Sequence, residues 1–258
     1  MRRRKLRSLQ VIPAWKKILE KNLPIYARLP GQLKEELHGH IQVFLHEKNF
    51  EGCGGLELRD EIKVTVAAQA CILLLNRKAT YYHKLSSILV YPSAYIARNV
   101  TNNHGNIVDE EVRLGESWRT GAVVLAWDEI LHGALDPMDG QNIVFHEFAH
   151  QLDQEDGVAD GTPIIEKRSR YISWARVLSR EFKVLQKKAS HGMNTVMDHY
   201  GATDPTEFFA VATETFFEKP SQLKLKHPAL YEELKGYYQL DPATWLSENN
   251  ESRGLPNQ

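Results

Sequence analysis

His146, Glu147 and His150 stand in H-E-x-x-H spacing within the run Ile143 to Asp153. Residues four apart on a helix lie on one face, so the two imidazoles can converge on a point with Glu147 beside them. Two neutral nitrogen donors and an adjacent carboxylate suit a divalent metal and hydrolytic chemistry, the carboxylate taking a proton from a metal-activated water. With 11 His in 258 residues the spacing alone can arise by chance. The neighbours add weight, because Ile143, Val144, Phe145, Phe148, Ala149 and Leu152 would bury most of such a helix. Two His and a Glu are costly to bury without partners, and a metal supplies them. A hydrogen-bonded structural cluster is the competing reading.

A catalytic zinc site takes three protein ligands and keeps one position open. Downstream candidates are Asp153, Asp156, Asp160, His191, His199, Glu207 and Glu214. The longer H-E-x-x-H-x-x-G-x-x-H pattern is absent, since its Gly and last His positions hold Asp153 and Asp156. Asp153 falls one position short of the next full turn after His150, and is expected to accept from a ligand's other ring nitrogen. Glu207 heads a second apolar helix, where it can reach the first helix or serve as half of a capping box. Glu214 lies two turns deeper. The residues favour Glu207 over Glu214 without closing the choice.

The elements that must position these groups follow from periodicity. Helices are predicted over Pro13 to Asn22, Gln32 to His46, Arg59 to Leu75 and Tyr171 to Lys188. Strands are predicted at Ser87 to Tyr91, Arg113 to Trp118 and Ala122 to Trp127, the last apolar enough to be covered on both faces. Asp136 to Gly140 reads as a loop, Asn142 or its neighbour as the cap of the His146 helix, and Asn102 to Asn106 as a turn. Asp204 is a natural N-cap and Pro205 suits the first turn of a helix ending before Pro220. Short helices begin at Pro228 and Pro242. His38, His40 and His46 read as surface or core-edge residues. The expected class is α+β: mostly helical, with a small mixed sheet beside the His146 helix, and one domain over 1–258. Residues 1–12 read as a basic, mobile arm and about 247–258 as a disordered tail.

Composition excludes several functions. At 42% hydrophobic, 25% charged and net charge −1, the chain has no global field drawing it to nucleic acid or an anionic membrane. Met1 to Arg7 resembles the basic start of a signal peptide, but Leu9 to Pro13 is too short for the apolar segment that should follow. No run approaches the ~18 apolar residues of a membrane span. Two cysteines, Cys53 and Cys71, fit a reducing compartment, and Cys71 reads as a small core residue. A cytoplasmic location is expected.

His146-Glu147-Phe148-Ala149-His150, then Tyr200-Gly201 and Glu207-Phe208-Phe209-Ala210, resemble the catalytic domain of anthrax lethal factor. That resemblance implies Glu207 as third zinc ligand and Tyr200 as a group stabilising the transition state, a role the residues alone would not separate from ordinary packing. The wider run from Gly121 to Trp127, through His146 to Asp153, to Glu207 and Ala210 resembles the Mlc titration factor A family, over roughly Pro13 to Trp245. This implies a zincin-like cytosolic metallopeptidase that holds one zinc through His146, His150 and Glu207. It uses Glu147 and Tyr200 in catalysis, cleaves a peptide or protein substrate and binds the glucose repressor Mlc, which affects sugar uptake. Aminopeptidase action is one expectation, and the residues do not separate it from endopeptidase action. Two alternatives remain: a regulator-sequestering protein whose peptidase activity is secondary, and a closed structural zinc site.

Overall fold

Apolar periodicity becomes helix along most of the chain, and a computed structural model describes residues 2–93, 95–98, 110–113, 115–118, 121–165 and 167–245. The helices are α1 (Arg2–Arg7), α2 (Pro13–Asn22), α3 (Pro24–Arg28), α4 (Gly31–Glu47), α5 (Asp60–Ile72), α6 (Trp127–Leu135), α7 (Ile143–Asp153), α8 (Arg168–Ser190), α9 (Pro205–Glu218), α10 (Pro220–Lys226) and α11 (Pro228–Tyr238). The strands are β1 (Asn49–Gly52), β2 (Ser87–Tyr91), β3 (Tyr95–Arg98), β4 (Glu110–Arg113), β5 (Gly115–Trp118) and β6 (Ala122–Ala126). This is the expected zincin-like α+β arrangement, with a small mixed sheet beside the helix of His146.

The main sheet runs β1-β2-β6-β5. β1 and β2 are parallel, as are β2 and β6, while β5 pairs antiparallel with β6. From Val123 to Ala126, β6 is buried on both faces, as its unbroken apolar run requires. Helix α7 lies along β5 and β6 and packs against α5, α6 and α9. Its Phe148 ring meets Tyr82 at 4.8 Å and Phe44 at 5.7 Å, which ties the motif helix to α4 and to the connection before β2. Phe145 meets Phe217 of α9 at 5.2 Å. Aromatic contacts continue outward, with Trp174 of α8 against Phe209 and Tyr237. A continuous core of this kind holds helix positions to tenths of an ångström, which metal ligation needs.

The structure differs from the periodicity reading at several points. Arg113 to Trp118, predicted as one strand, divides between β4, which pairs with β3, and β5 of the main sheet. The short elements β1, α3 and α10 were not predicted, being too brief to carry a periodic signal. His40 is fully buried: its ring bonds Tyr81 Oη at 2.7 Å and Glu36 Oε1 at 3.1 Å. Where a mobile arm was expected, Arg2–Arg7 forms a helix on α4. Arg3 grips Glu47 through two nitrogens at 2.7 and 2.8 Å, and Gly39 lets the backbone of Arg7 approach closely. The turn at Asn102 to Asn106 and the tail from about 247 lie outside the described residues.

Candidate metal centre

Two capped helices bring the chemistry together. Asn142 Oδ1 accepts from Phe145 N at 3.0 Å and starts α7. Asp204 Oδ1 accepts from Thr206 N and Glu207 N at 2.8 and 3.0 Å, with Pro205 at the first helical position of α9. With its backbone already satisfied by Asp204, the Glu207 carboxylate turns towards α7. Its Oε2 lies 2.9 Å from His146 Nε2 and 3.4 Å from His150 Nε2. The two Nε2 atoms are 3.1 Å apart.

These three atoms outline a triangle with sides of 2.9 to 3.4 Å. Ligands about 2.0–2.1 Å from a tetrahedral zinc are about 3.3 Å from one another. Two imidazoles and one carboxylate, largely buried and facing one another, therefore fit a catalytic zinc ion in donor type and spacing. Among the described residues, Asp153, Asp156, Asp160, His191 and His199 do not join the cluster.

Acidic groups control the site's electrostatics. Burial works against a charged His146, but Glu214 and the hydrogen bonds to Glu207 and Glu214 outweigh it and hold the imidazole well above its usual value. Burial would raise Glu207, yet hydrogen bonds to His146 and His150 bring it down to about 2. Glu147 is buried on the same helix, and its charge adds to the raising of His146.

Glu214 was weighed as a ligand, but it occupies another place. Its Oε1 takes His146 Nδ1 at 2.7 Å and its Oε2 takes Asn142 N at 2.5 Å. One turn further along α9, Glu218 Oε1 accepts from Asn142 Nδ2 at 3.0 Å. Burial lifts Glu218 to about 9, so it is a neutral acid at physiological pH. Glu207, Glu214 and Glu218 thus form one acidic edge of an otherwise apolar helix, laid along α7. Sequence reasoning missed the last two roles. The available signal was three acids at i, i+7 and i+11 in a helix otherwise made for the core.

Asp153 corrects an expectation. It is fully buried, but its Oδ2 accepts from Gly161 N at 3.0 Å. No hydrogen bond joins it to a histidine, and His150 Nδ1 has no hydrogen-bond partner among the described residues. Burial raises Asp153 to about 6, against the pull of Gly161. Gly161 has φ +77°, and a Cβ there would come within 2.3 Å of Pro205 O. Asp153 therefore links the end of α7 to the first residue of the helix that carries Glu207.

Tyr200 stands in a short 3-10 turn, His199–Ala202, capped by Asp198, which accepts from Tyr200 N at 2.7 Å. Gly201 allows this turn to lie against Val211 and Leu185, where a Cβ would be only 3.1 and 3.3 Å from them. The Tyr200 ring is 55% exposed, with its centroid 5.9 Å from that of His146. Tyr200 is therefore a surface residue beside His146 and not part of the core.

A profile for glucose-regulated metallo-peptidase M90 matches residues 1–239. The chain belongs to this M90 family. An uncharacterized protein of Synechocystis, slr2042, is 45% identical over 233 residues, covering 89% of this chain and 85% of the relative. Mlc titration factor A of Klebsiella pneumoniae strain 342 is 30% identical over 234 residues, covering 88% and 86%. The protein of that name from Escherichia coli O7:K1 is 29% identical over 245 residues, covering 92% and 90%. Membership of M90 makes this a metallopeptidase-family chain and implies a metal ion. Among the described residues, no helix is long and apolar enough to cross a membrane. Both cysteines are free, and Cys71 is buried.

Proposed function

We propose that the chain is a zinc-dependent peptidase in which His146, His150 and Glu207 hold one metal ion and Glu147 and Tyr200 act on the substrate. The supporting observation is the convergence of His146 Nε2, His150 Nε2 and Glu207 Oε2 from two helices to within 2.9 to 3.4 Å of one another. A zinc ion bound there would polarise the scissile carbonyl and lower the pKa of an attacking water towards neutrality. Glu147 would be the general base for the attacking water and the donor of that proton to the departing amine. Tyr200, exposed beside His146, donates its phenol proton in a hydrogen bond to the developing oxyanion. Three protein ligands would leave the fourth position of a tetrahedral ion to water or substrate. Aminopeptidase action belongs to this proposal, as do a single domain and a cytoplasmic location.

Metal content and peptide cleavage test this reading together. Wild type should carry one zinc per chain, Glu207→Ala none, and Glu147→Gln a full equivalent without hydrolysis. Full zinc and normal turnover in Glu207→Ala would remove the assignment. A panel of free and N-terminally blocked peptides separates aminopeptidase from endopeptidase action.

The relatives named Mlc titration factor A support a second activity, binding of Mlc; an effect on sugar uptake through the repressor belongs to the same proposal. The chain would act on Mlc itself without contacting nucleic acid. Capture of purified Mlc by Glu147→Gln would show that binding is separate from hydrolysis. Capture combined with negligible turnover in the wild type would favour a chiefly sequestering protein.

A further inference from the structure

We infer that Glu214 is the positioning residue of the metal centre, fixing the proton and the orientation of His146. The inference rests on the ligand reading above. A histidine that binds metal through Nε2 must carry its proton on Nδ1, and that N–H needs an acceptor. His146 Nδ1 is 2.7 Å from Glu214 Oε1, and both residues are buried. The other oxygen of the same carboxylate takes the backbone N–H of Asn142 at 2.5 Å. Asn142 is in turn fixed three ways: Oδ1 to Phe145 N, and Nδ2 to Gly133 O at 3.2 Å and Glu218 Oε1 at 3.0 Å.

This arrangement gives Glu214 no freedom to exchange roles between its oxygens. Both donors facing it are N–H groups, so an acceptor-only carboxylate satisfies both while an amide satisfies one. In Glu214→Gln the amide must face Asn142 N–H or His146 Nδ1. Asn142 N–H cannot become an acceptor, whereas His146 can, by moving its proton to Nε2. That tautomer points an N–H at the metal position and cannot ligate. His150 has no comparable restraint, since its Nδ1 lacks a hydrogen-bond partner among the described residues. The two histidines are therefore unequal, and His146 has its Nδ1 proton and its orientation fixed by Glu214, so that Nε2 is the nitrogen left for the metal.

The experiment measures zinc affinity by competition with a chromophoric chelator for wild type, Glu214→Gln, Glu214→Asp, Glu218→Gln and Glu207→Ala. The tautomer of His146 is read by 15N NMR on the metal-free proteins, at a pH high enough to leave the imidazole neutral. Glu214→Gln should lose about 10–100-fold in zinc affinity and move the His146 proton to Nε2. Glu214→Asp, which keeps an acceptor-only group, should recover part of that affinity. Glu218→Gln removes an acid from the same helix edge without touching His146, and should bind zinc as wild type does. Wild-type affinity in Glu214→Gln, or equal losses in Glu214→Gln and Glu218→Gln, would overturn the inference. If Glu214→Gln fails to fold, a partial loss of zinc affinity with the Nδ1–H tautomer retained in Glu214→Asp supports it, and an undiminished affinity or an Nε2–H tautomer overturns it. Undiminished zinc in Glu207→Ala would instead remove the ligand reading, whatever Glu214 does.

Discussion

The Nε2 atoms of His146 and His150 stand 3.1 Å apart, with Glu207 Oε2 within 2.9 and 3.4 Å of them. Three mutually facing donor atoms in a mostly buried site are better served by a cation than by one another. Chelation should therefore lower thermal stability, and added zinc should restore it. Ligand linkage gives about 2.7 kcal/mol when free zinc is a hundredfold above its dissociation constant. Unfolding curves with and without chelator check this, and coincident curves would argue against a metal that binds the folded state.

Glu147→Gln separates proton transfer from ligation. The substitution keeps shape and hydrogen-bonding capacity but cannot accept a proton. Turnover should fall by about 10²–10⁴-fold while zinc content stays at one equivalent. Steady-state kinetics on metal-loaded protein provide the readout, together with metal analysis of the same sample.

Glu218 gives stability a pH dependence. Burial raises its folded value to about 9, above the ordinary carboxyl value of 4.5. The native state holds this proton where the unfolded chain has released it. The contribution is therefore complete below about pH 4.5 and is lost as pH rises towards 9, with a slope of up to about 1.4 kcal/mol per pH unit. Glu218→Gln, which mimics the neutral acid, should flatten that decline between pH 6 and 9. Denaturant melts across the range decide it.

Asn142→Ala removes the cap of α7 and leaves Gly133 O and Glu218 without their shared donor. A loss of about 1–3 kcal/mol is expected. Chemical denaturation of the metal-free protein isolates this cost from any change in zinc binding.

Gly161→Ala should act at a distance on Glu207. A Cβ at this φ of +77° would come within 2.3 Å of Pro205 O, so the first turn of α9 must shift. The expected cost is about 1–3 kcal/mol, with weaker zinc binding. Gly192→Ala is the control. Its φ is +61° but nothing lies within 4 Å of the added carbon. It should cost about 1–2 kcal/mol from the backbone conformation alone and leave zinc affinity unchanged. Equal effects of the two substitutions on zinc would deny the link through Pro205.

Features set by neighbours along the chain were readable from sequence. The H-E-x-x-H spacing puts both imidazoles on one helical face whatever the helix packs against. Asn142 and Asp204 cap because their short polar side chains reach backbone N–H groups two or three residues on. The apolar run of β6 demands cover on both faces. Short elements such as β1 and α3 carried too few residues for any period to show. His40 looked like an edge residue because its buried partner, Tyr81, is 41 positions away.

The tertiary structure decided which acid meets which atom. Glu207 and Glu214 share a side of α9, and no local rule says which of them faces Nε2 and which Nδ1. The axial offset between α7 and α9 determines it, through contacts such as Phe145 with Phe217 and the close approach of Gly161 to Pro205. The same offset gives Asp153 a backbone to hold in place of a histidine. Sequence alone determined the type of chemistry and the helix that displays it. Packing between distant segments decided the order of carboxylates along that helix, because hydrogen bonds of 2.5 to 3.4 Å depend on positions that only a folded core can hold.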